Sequence, residues 1–511
     1  MLENAAVGVD GPAWCARGMT DRGSRYPLAV EAPVLRMVNV LVPGVSTLTD
    51  SARHFALYWA VAQRCGSEEY DAATCRDLIR RSESALAWAS LVDPETGGLN
   101  GPATMHGADT VRRLLSQVPE DELGEHVVAT YSPRSLGYWS QYAGPATTLG
   151  IATVDKNSLR PGRRACPAQV QEMFSPLLDI AAHRAVEQAE IGDFISLANP
   201  GLGGPDIEPL RGLITATPDS VDTSRWSGDD LTRRSTLRIL ARAVQLVPAQ
   251  TDWRAIFSAA IAFGPLLDID PIYQQEGARA QAWRGVLLRH RLVGAWRTLW
   301  AALVSHVLNS GEPLNRAQLH EWIRSHVPAV TMAQFRDDLP ATLDANGHLL
   351  PAEDDVEGQG RESIESALAV LLLSSQRVEE LGGTALDAFR GGSTAPRRVF
   401  LDPYWVGARA GEYAAQWIGD FAAAVVDDML AQSHRVALRK LEVKADGSVV
   451  MPSKLYEREG RYFAESAEGA YNIGYRAETV GSITIQLGLI NRGHEGLDVT
   501  GIGSQLLELP A

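Results

Sequence analysis

Residues 471–511 read YNIGYRAETVGSITIQLGLINRGHEGLDVTGIGSQLLELPA. An apolar-periodic run closes at Leu487-Gly488-Leu489-Ile490, a polar loop rich in glycine follows, and Leu497-Asp498-Val499-Thr500 then alternates as a short strand should. Helix, loop, strand and a final apolar segment are the order of a small winged-helix unit. Immediately upstream, residues 437–465 alternate around two turn signals, Ala445-Asp446-Gly447 and Arg458-Glu459-Gly460, which predicts consecutive β-hairpins ahead of that helix.

A second stretch resembles this tail in miniature. Leu149-Gly150-Ile151 is followed by a polar loop and then by Leu159-Arg160-Pro161-Gly162, the helix–loop–strand order of Leu487-Gly488-Leu489 again, as a duplicated unit or as a chance likeness of two short motifs. Between the two, the patterning is helical: residues 167–190, 229–246, 253–263 and 273–308 carry apolar residues at helical spacing. The last run holds Trp283, Trp296 and Trp300 and suits a central, buried helix. Further helices are expected over 51–64, 72–91, 363–381 and 412–432, and a strand over the apolar run Leu35–Val42. The fold class is therefore mainly α and multidomain, with winged-helix-like α+β units flanking a helical core.

The expected divisions are an irregular N-terminal arm over 1–30, a helical and winged-helix-like domain over 31–165, and a central helical domain over 166–340. An acidic linker or loop over 341–362, a second helical block over 363–436 and a β-hairpin/winged-helix-like domain over 437–511 complete the chain. The length of 511 residues and 45% apolar content suffice for several such cores.

Charge bounds the partners. The formal net charge is −15, so a chain that coats nucleic acid over its whole surface is excluded, and any such contact must be local. Lysine occurs at only four positions (156, 440, 444 and 454) while arginine is abundant, so a cluster of arginines weighs less here than in a lysine-rich chain. No secretory layout opens the sequence and no long uncharged apolar run crosses it, which leads to the expectation of a cytoplasmic protein away from membranes. Cys15, Cys65, Cys75 and Cys166 show no CxxC spacing and no histidine cluster beside them, and are expected to be reduced structural thiols. No cofactor or metal is expected.

Four constellations have chemical content. Lys156, Arg160, Arg163 and Arg164 form a basic stretch after the first Leu-Gly-Ile, flanked by Tyr138, Trp139 and Tyr142, and are candidates for phosphate contacts. In the tail, Arg476 and Gln486, with Ser482, Thr484 and Asn491, are the donors a groove-reading helix would use. Arg234, Arg238 and Arg242 share one helical face, for which the acidic run Glu353, Asp354, Asp355 and Glu357 is a candidate partner. Asp427-Asp428 followed by Glu442-Val443-Lys444 has the order of a PD-(D/E)xK nuclease, in which carboxylates hold Mg²⁺ and the lysine faces the attacked phosphate. Each has a duller counterpart: a solvated face, an exposed hairpin strand, or a packed helix.

The segment Leu41-Val-Pro-Gly-Val-Ser-Thr-Leu-Thr-Asp-Ser-Ala-Arg-His-Phe-Ala-Leu-Tyr-Trp59, with the hairpins and the Leu-Gly-Leu-Ile tail, resembles uncharacterised bacterial proteins found near anti-phage defence and DNA-modification genes. That resemblance covers about a fifth of the chain and implies a setting, with no catalytic residue to carry over. The expectation is a non-catalytic, DNA-associating or complex-forming component of a prokaryotic defence system that meets other protein subunits. A Mg-dependent nuclease centred on Glu442 and Lys444, and a structural adaptor binding another defence protein, stand as the alternatives.

Overall fold

A computed structural model describes residues 15–16, 26–92, 105, 107–115, 117, 123–131, 137–198, 203–217, 226–358, 363–395, 399–443, 447 and 449–510. Most of the expected N-terminal arm, and Lys444 of the nuclease-like pattern, lie outside them. The described residues are mainly helical, with small two- and three-stranded sheets, and none of their helices is long and apolar enough to cross a membrane. The chain divides into two compact units: Met1–Met37, Ile261–Asp270 and Ala280–Ile473 form one, and Val38–Ala260, Pro271–Arg279 and Gly474–Ala511 the other.

In the first of these, the long helix Ala278–Asn309 buries Trp283, Trp296 and Trp300 at 1% exposure or less, as its apolar faces predict. It begins later than expected, because Gly277 adopts φ +43° and ends a separate short helix, Pro271–Glu276. Gly285 lets the helix Gly383–Arg390 approach so closely that a Cβ at 285 would lie 2.1 Å from the Ala385 carbonyl oxygen. Backbone cannot yield as a side-chain tip can. Gly285→Ala is expected to lower the unfolding free energy by about 1–3 kcal/mol, read as a lower urea midpoint at unchanged slope.

The expected acidic linker contains the helix Ala352–Gly358, and its Glu353 is buried, paired with Arg377 of the helix Ser363–Glu380. The strand Leu314–Asn315 pairs antiparallel with Arg461–Ala464, which in turn pairs with Leu455–Arg458 across the expected turn at Glu459-Gly460, where both residues have positive φ. The other expected hairpin is the short pair Glu442–Val443 and Val449–Val450. Both hairpins belong to the first unit, whereas the tail helix Ala477–Gln486 belongs to the second.

The second unit is built around the helix Ala52–Ser67, buried on every face from Ala52 to Ala62. It packs on the helix Ala168–Ala181 and on the hairpin of Ala152–Asp155 with Ser158–Pro161. That hairpin turns through Lys156-Asn157, both at positive φ. The strand expected over 35–42 is instead part of the helix Ala32–Leu41. Val34, Val38 and Leu41 are buried while Arg36, Asn39 and Val40 are exposed, a period that an apolar run alone does not separate from a strand.

The two Leu-Gly segments share one local geometry. Gly150 and Gly488 end the helices Ala143–Leu149 and Ala477–Gln486 in the left-handed region, at φ +77° and +65°. In each, the glycine N–H donates to the carbonyl three residues back and the next N–H to the carbonyl five back: Gly150 to Thr147 and Ile151 to Ala146, Gly488 to Ile485 and Leu489 to Thr484. A two-stranded hairpin follows each, and the residue after it donates back, Gly162 to Ile151 O and Thr500 to Leu489 O. An arginine Nε donates to the carbonyl just before the glycine in both, Arg164 to Leu149 O at 2.9 Å and Arg211 to Leu487 O at 2.6 Å.

Candidate functional site

Beside the first of these caps, the second unit holds a cleft of about 640 Å³, within the usual range of a small-ligand site. Its walls are mostly apolar: Trp59 from the buried helix, Leu213, Trp226, Pro167 and Pro209. Arg163 and Arg164 form its basic edge.

Sequence places these two arginines by a short chain of causes. Gly162 must be glycine, since a Cβ there would lie 2.2 Å from the Gly150 carbonyl oxygen; the chain therefore leaves the hairpin hard against the helix cap. Arg164 N–H then donates to Gly150 O at 2.9 Å, and the Trp59 indole N–H to Arg164 O at 3.1 Å, which fixes the backbone at the cleft. The helix Gly228–Leu246 brings the anchor. Ser227 and Asp230 form a capping box at its start, and the Asp230 carboxylate, fully buried, accepts from Arg164 at 2.7 Å, Arg163 at 3.3 Å and Arg233 at 2.8 Å. Burial pushes Asp230 up, but Arg233 and the Ser227 donors more than offset it and hold the carboxyl at about 2.

Three guanidinium groups share that one carboxylate, and Glu208 is the acid that lines the cleft beside Arg163 and Arg164. Arg164 lies 4.1 Å from the centre of the Trp226 ring, and the Trp226 indole donates to Thr217 O at 3.2 Å. Arg163 crosses Gly150, donates to Thr148 O at 2.8 Å and keeps 44% of its side chain exposed. It is the cation an incoming anion can meet.

The remaining candidates are placed differently. Lys156 sits exposed at the hairpin tip. Arg160 turns inward, to the carbonyls of Cys65 at 3.1 Å and Tyr70 at 2.8 Å. Tyr138 and Tyr142, expected to flank the basic loop, are fully buried. Arg476 donates to Val42 O at 3.1 Å and Val45 O at 2.5 Å and bonds Asn39, and its burial pulls the guanidinium down to about 10. The Gln486 side chain accepts from Ala52 N–H at 2.8 Å and donates to Asp50 O at 2.7 Å, so it caps the helix Ala52–Ser67. Arg234 and Arg238 hold the tail through Leu506 O and Leu507 O.

In the first unit, Asp427 accepts from Arg316 at 2.5 Å and His320 at 2.8 Å, and Asp428 from Arg409 at 3.0 Å. Both aspartates of the nuclease-like pattern are thus engaged by side-chain donors, and no group of three or more His, Cys, Asp or Glu among the described residues is arranged to hold a metal ion.

Trp226 and Asp230 were not among the sequence candidates. The signal for Asp230 was present as Ser227-x-x-Asp230 ahead of an apolar-periodic run, a helix-start pattern that says nothing of two arginines more than sixty residues upstream. Comparison with protein-family models, with curated proteins and with solved structures finds no match.

Proposed function

We propose that the chain is a non-catalytic binding component, a DNA-associating or complex-forming subunit of a prokaryotic defence system, and that it takes an unpaired nucleotide in the Trp59–Trp226 cleft. The observation that carries this reading is the exposed Arg163 beside apolar, tryptophan-bearing walls, with the neighbouring cation already oriented by a buried carboxylate. A base gains apolar and aromatic contact in such a cleft and a phosphate gains a charge-assisted hydrogen bond, the pairing that single-strand binders use. The volume suits a nucleotide or two and not a duplex, and the net charge of −15 argues against a long electrostatic track. On this reading the two helix–glycine–hairpin segments are winged-helix-like modules, the first of which presents the basic edge.

Fluorescence anisotropy with short single-stranded DNA and the matching duplex tests it. The single strand is expected to bind more tightly, with Trp226→Ala weakening it by about 1–3 kcal/mol through lost stacking. Arg163→Ala is expected to reduce the slope of log affinity against log salt by about 0.7, one phosphate contact on a single strand. Equal binding of duplex and single strand, or affinity indifferent to both substitutions, would leave the cleft to a different ligand.

A further inference from the structure

Two buried thiols lie away from the cleft's wall and have no part in the binding just described. Cys65, near the end of the helix Ala52–Ser67, and Cys75, in the first turn of Ala72–Val92, are both fully buried, and their sulfurs are 3.2 Å apart. The connection between the two helices is pinned. Tyr70 N–H donates to Cys65 O, while Arg160 and Ser158 of the neighbouring strand both donate to Tyr70 O, at 2.8 and 3.0 Å. A fixed helix–turn–helix therefore keeps the sulfurs together, and a disulfide at about 2.05 Å needs only about 1.2 Å of further approach.

The two sulfurs are not equivalent. Cys75 Sγ accepts the Leu159 backbone N–H at 3.2 Å, whereas Cys65 is placed to donate its S–H to Cys75. The hydrogen bond from Cys65 draws Cys75 down against the opposing effect of burial, with the Leu159 N–H, Ser158 and Arg160 adding to it, while the same partnership pushes Cys65 up.

We propose that Cys65 and Cys75 form an oxidisable dithiol, a disulfide site in which Cys75 is the attacking sulfur and Cys65 the resolving one, with hydrogen peroxide as the oxidant. The Cys75 thiolate attacks one peroxide oxygen, the O–O bond breaks, and Cys75 sulfenic acid and hydroxide result. Cys65 sulfur then attacks the sulfenic sulfur; the S–O bond breaks, the Cys65 proton leaves with the departing hydroxyl as water, and the S–S bond forms. Two electrons pass from the thiol pair to peroxide, and a dithiol reductant reverses the step.

The test uses the intact chain, reduced, freed of reductant, treated in the native state with millimolar hydrogen peroxide, and then denatured and alkylated. Mass spectrometry should find a species carrying two fewer alkyl groups and lighter by two hydrogens before alkylation, with the Cys65 and Cys75 peptides joined and released by dithiothreitol. In Cys65→Ser, dimedone should label Cys75; in Cys75→Ser, Cys65 should stay unlabelled. Full alkylation of both thiols after peroxide, or a crosslink through Cys15 or Cys166, would overturn the assignment, and since the first experiment is on the unsubstituted protein it does not depend on either variant folding.

Discussion

Arg377→Leu is expected to lower the stability of the unit that contains it by about 3–5 kcal/mol, the effect of leaving buried charge uncompensated. The guanidinium is fully buried and donates to Glu353 at 2.9 and 2.7 Å, to Glu380 at 2.9 Å, and to the carbonyls of Thr342 and Leu350 at 2.9 and 2.7 Å. One side chain thus satisfies two carboxylates and two main-chain acceptors from the segment 342–353. Removing it strands Glu353, which is 1% exposed, with no solvent to take over its hydrogen bonds. Arg377→Leu combined with Glu353→Leu should recover much of the loss, because the cost lies in the orphaned carboxylate more than in the pair itself. Urea denaturation, with hydrogen exchange of the 364–380 peptides to localise the effect, measures both. A single variant within about 0.5 kcal/mol of the parent would mean that the network contributes only as a surface pair does.

Arg377 also marks where sequence and structure part company. Local periodicity was legible: the tryptophan-bearing long helix, the hairpin at Glu459-Gly460 and both Leu-Gly helix ends are set by residues adjacent in the chain, and side-chain period or glycine conformation reads them directly. The run 341–362 looked like an exposed acidic linker because four acids in five residues are seldom buried; only a partner twenty-four positions away makes Glu353 an interior residue. Gln486 and Arg476 looked like groove donors because a polar side chain on a helix has no visible partner in sequence. Their partners are main-chain groups over 430 residues distant. The basic edge of the cleft was read from Arg163 and Arg164, yet the features that make it a site, Asp230 beneath and Trp226 beside them, arrive by tertiary packing. Long-range polar pairing has no period, so no window of sequence contains it.

The same blindness to tertiary partners hides the second large effect, a pH dependence centred on Glu83. This carboxyl is buried on the helix Ala72–Val92 and accepts the Tyr58 hydroxyl at 2.6 Å and the Tyr138 N–H at 2.7 Å through a single oxygen, with the charge of Arg80 a smaller influence in its favour. Gly137, at φ +76°, packs so close that a Cβ there would lie 2.2 Å from the other oxygen. Burial outweighs both hydrogen bonds and raises the carboxyl to about 7. An acid with a higher pKa folded than unfolded holds its proton more tightly in the native state. Stability is therefore greatest below the ordinary glutamate value of about 4.3, falls as pH climbs from there, and is lowest above 7, the total loss being about 3–4 kcal/mol. Glu83→Gln keeps the accepting oxygen and removes the titration, so it should be the more stable form at pH 8 and show no advantage at pH 4. Histidines in general titrate in the same window. The difference between the two proteins, measured by urea denaturation at each pH, cancels whatever the histidines contribute to both. A difference that stays flat from pH 4 to 8 would show that Glu83 is ionised in the folded protein at little cost.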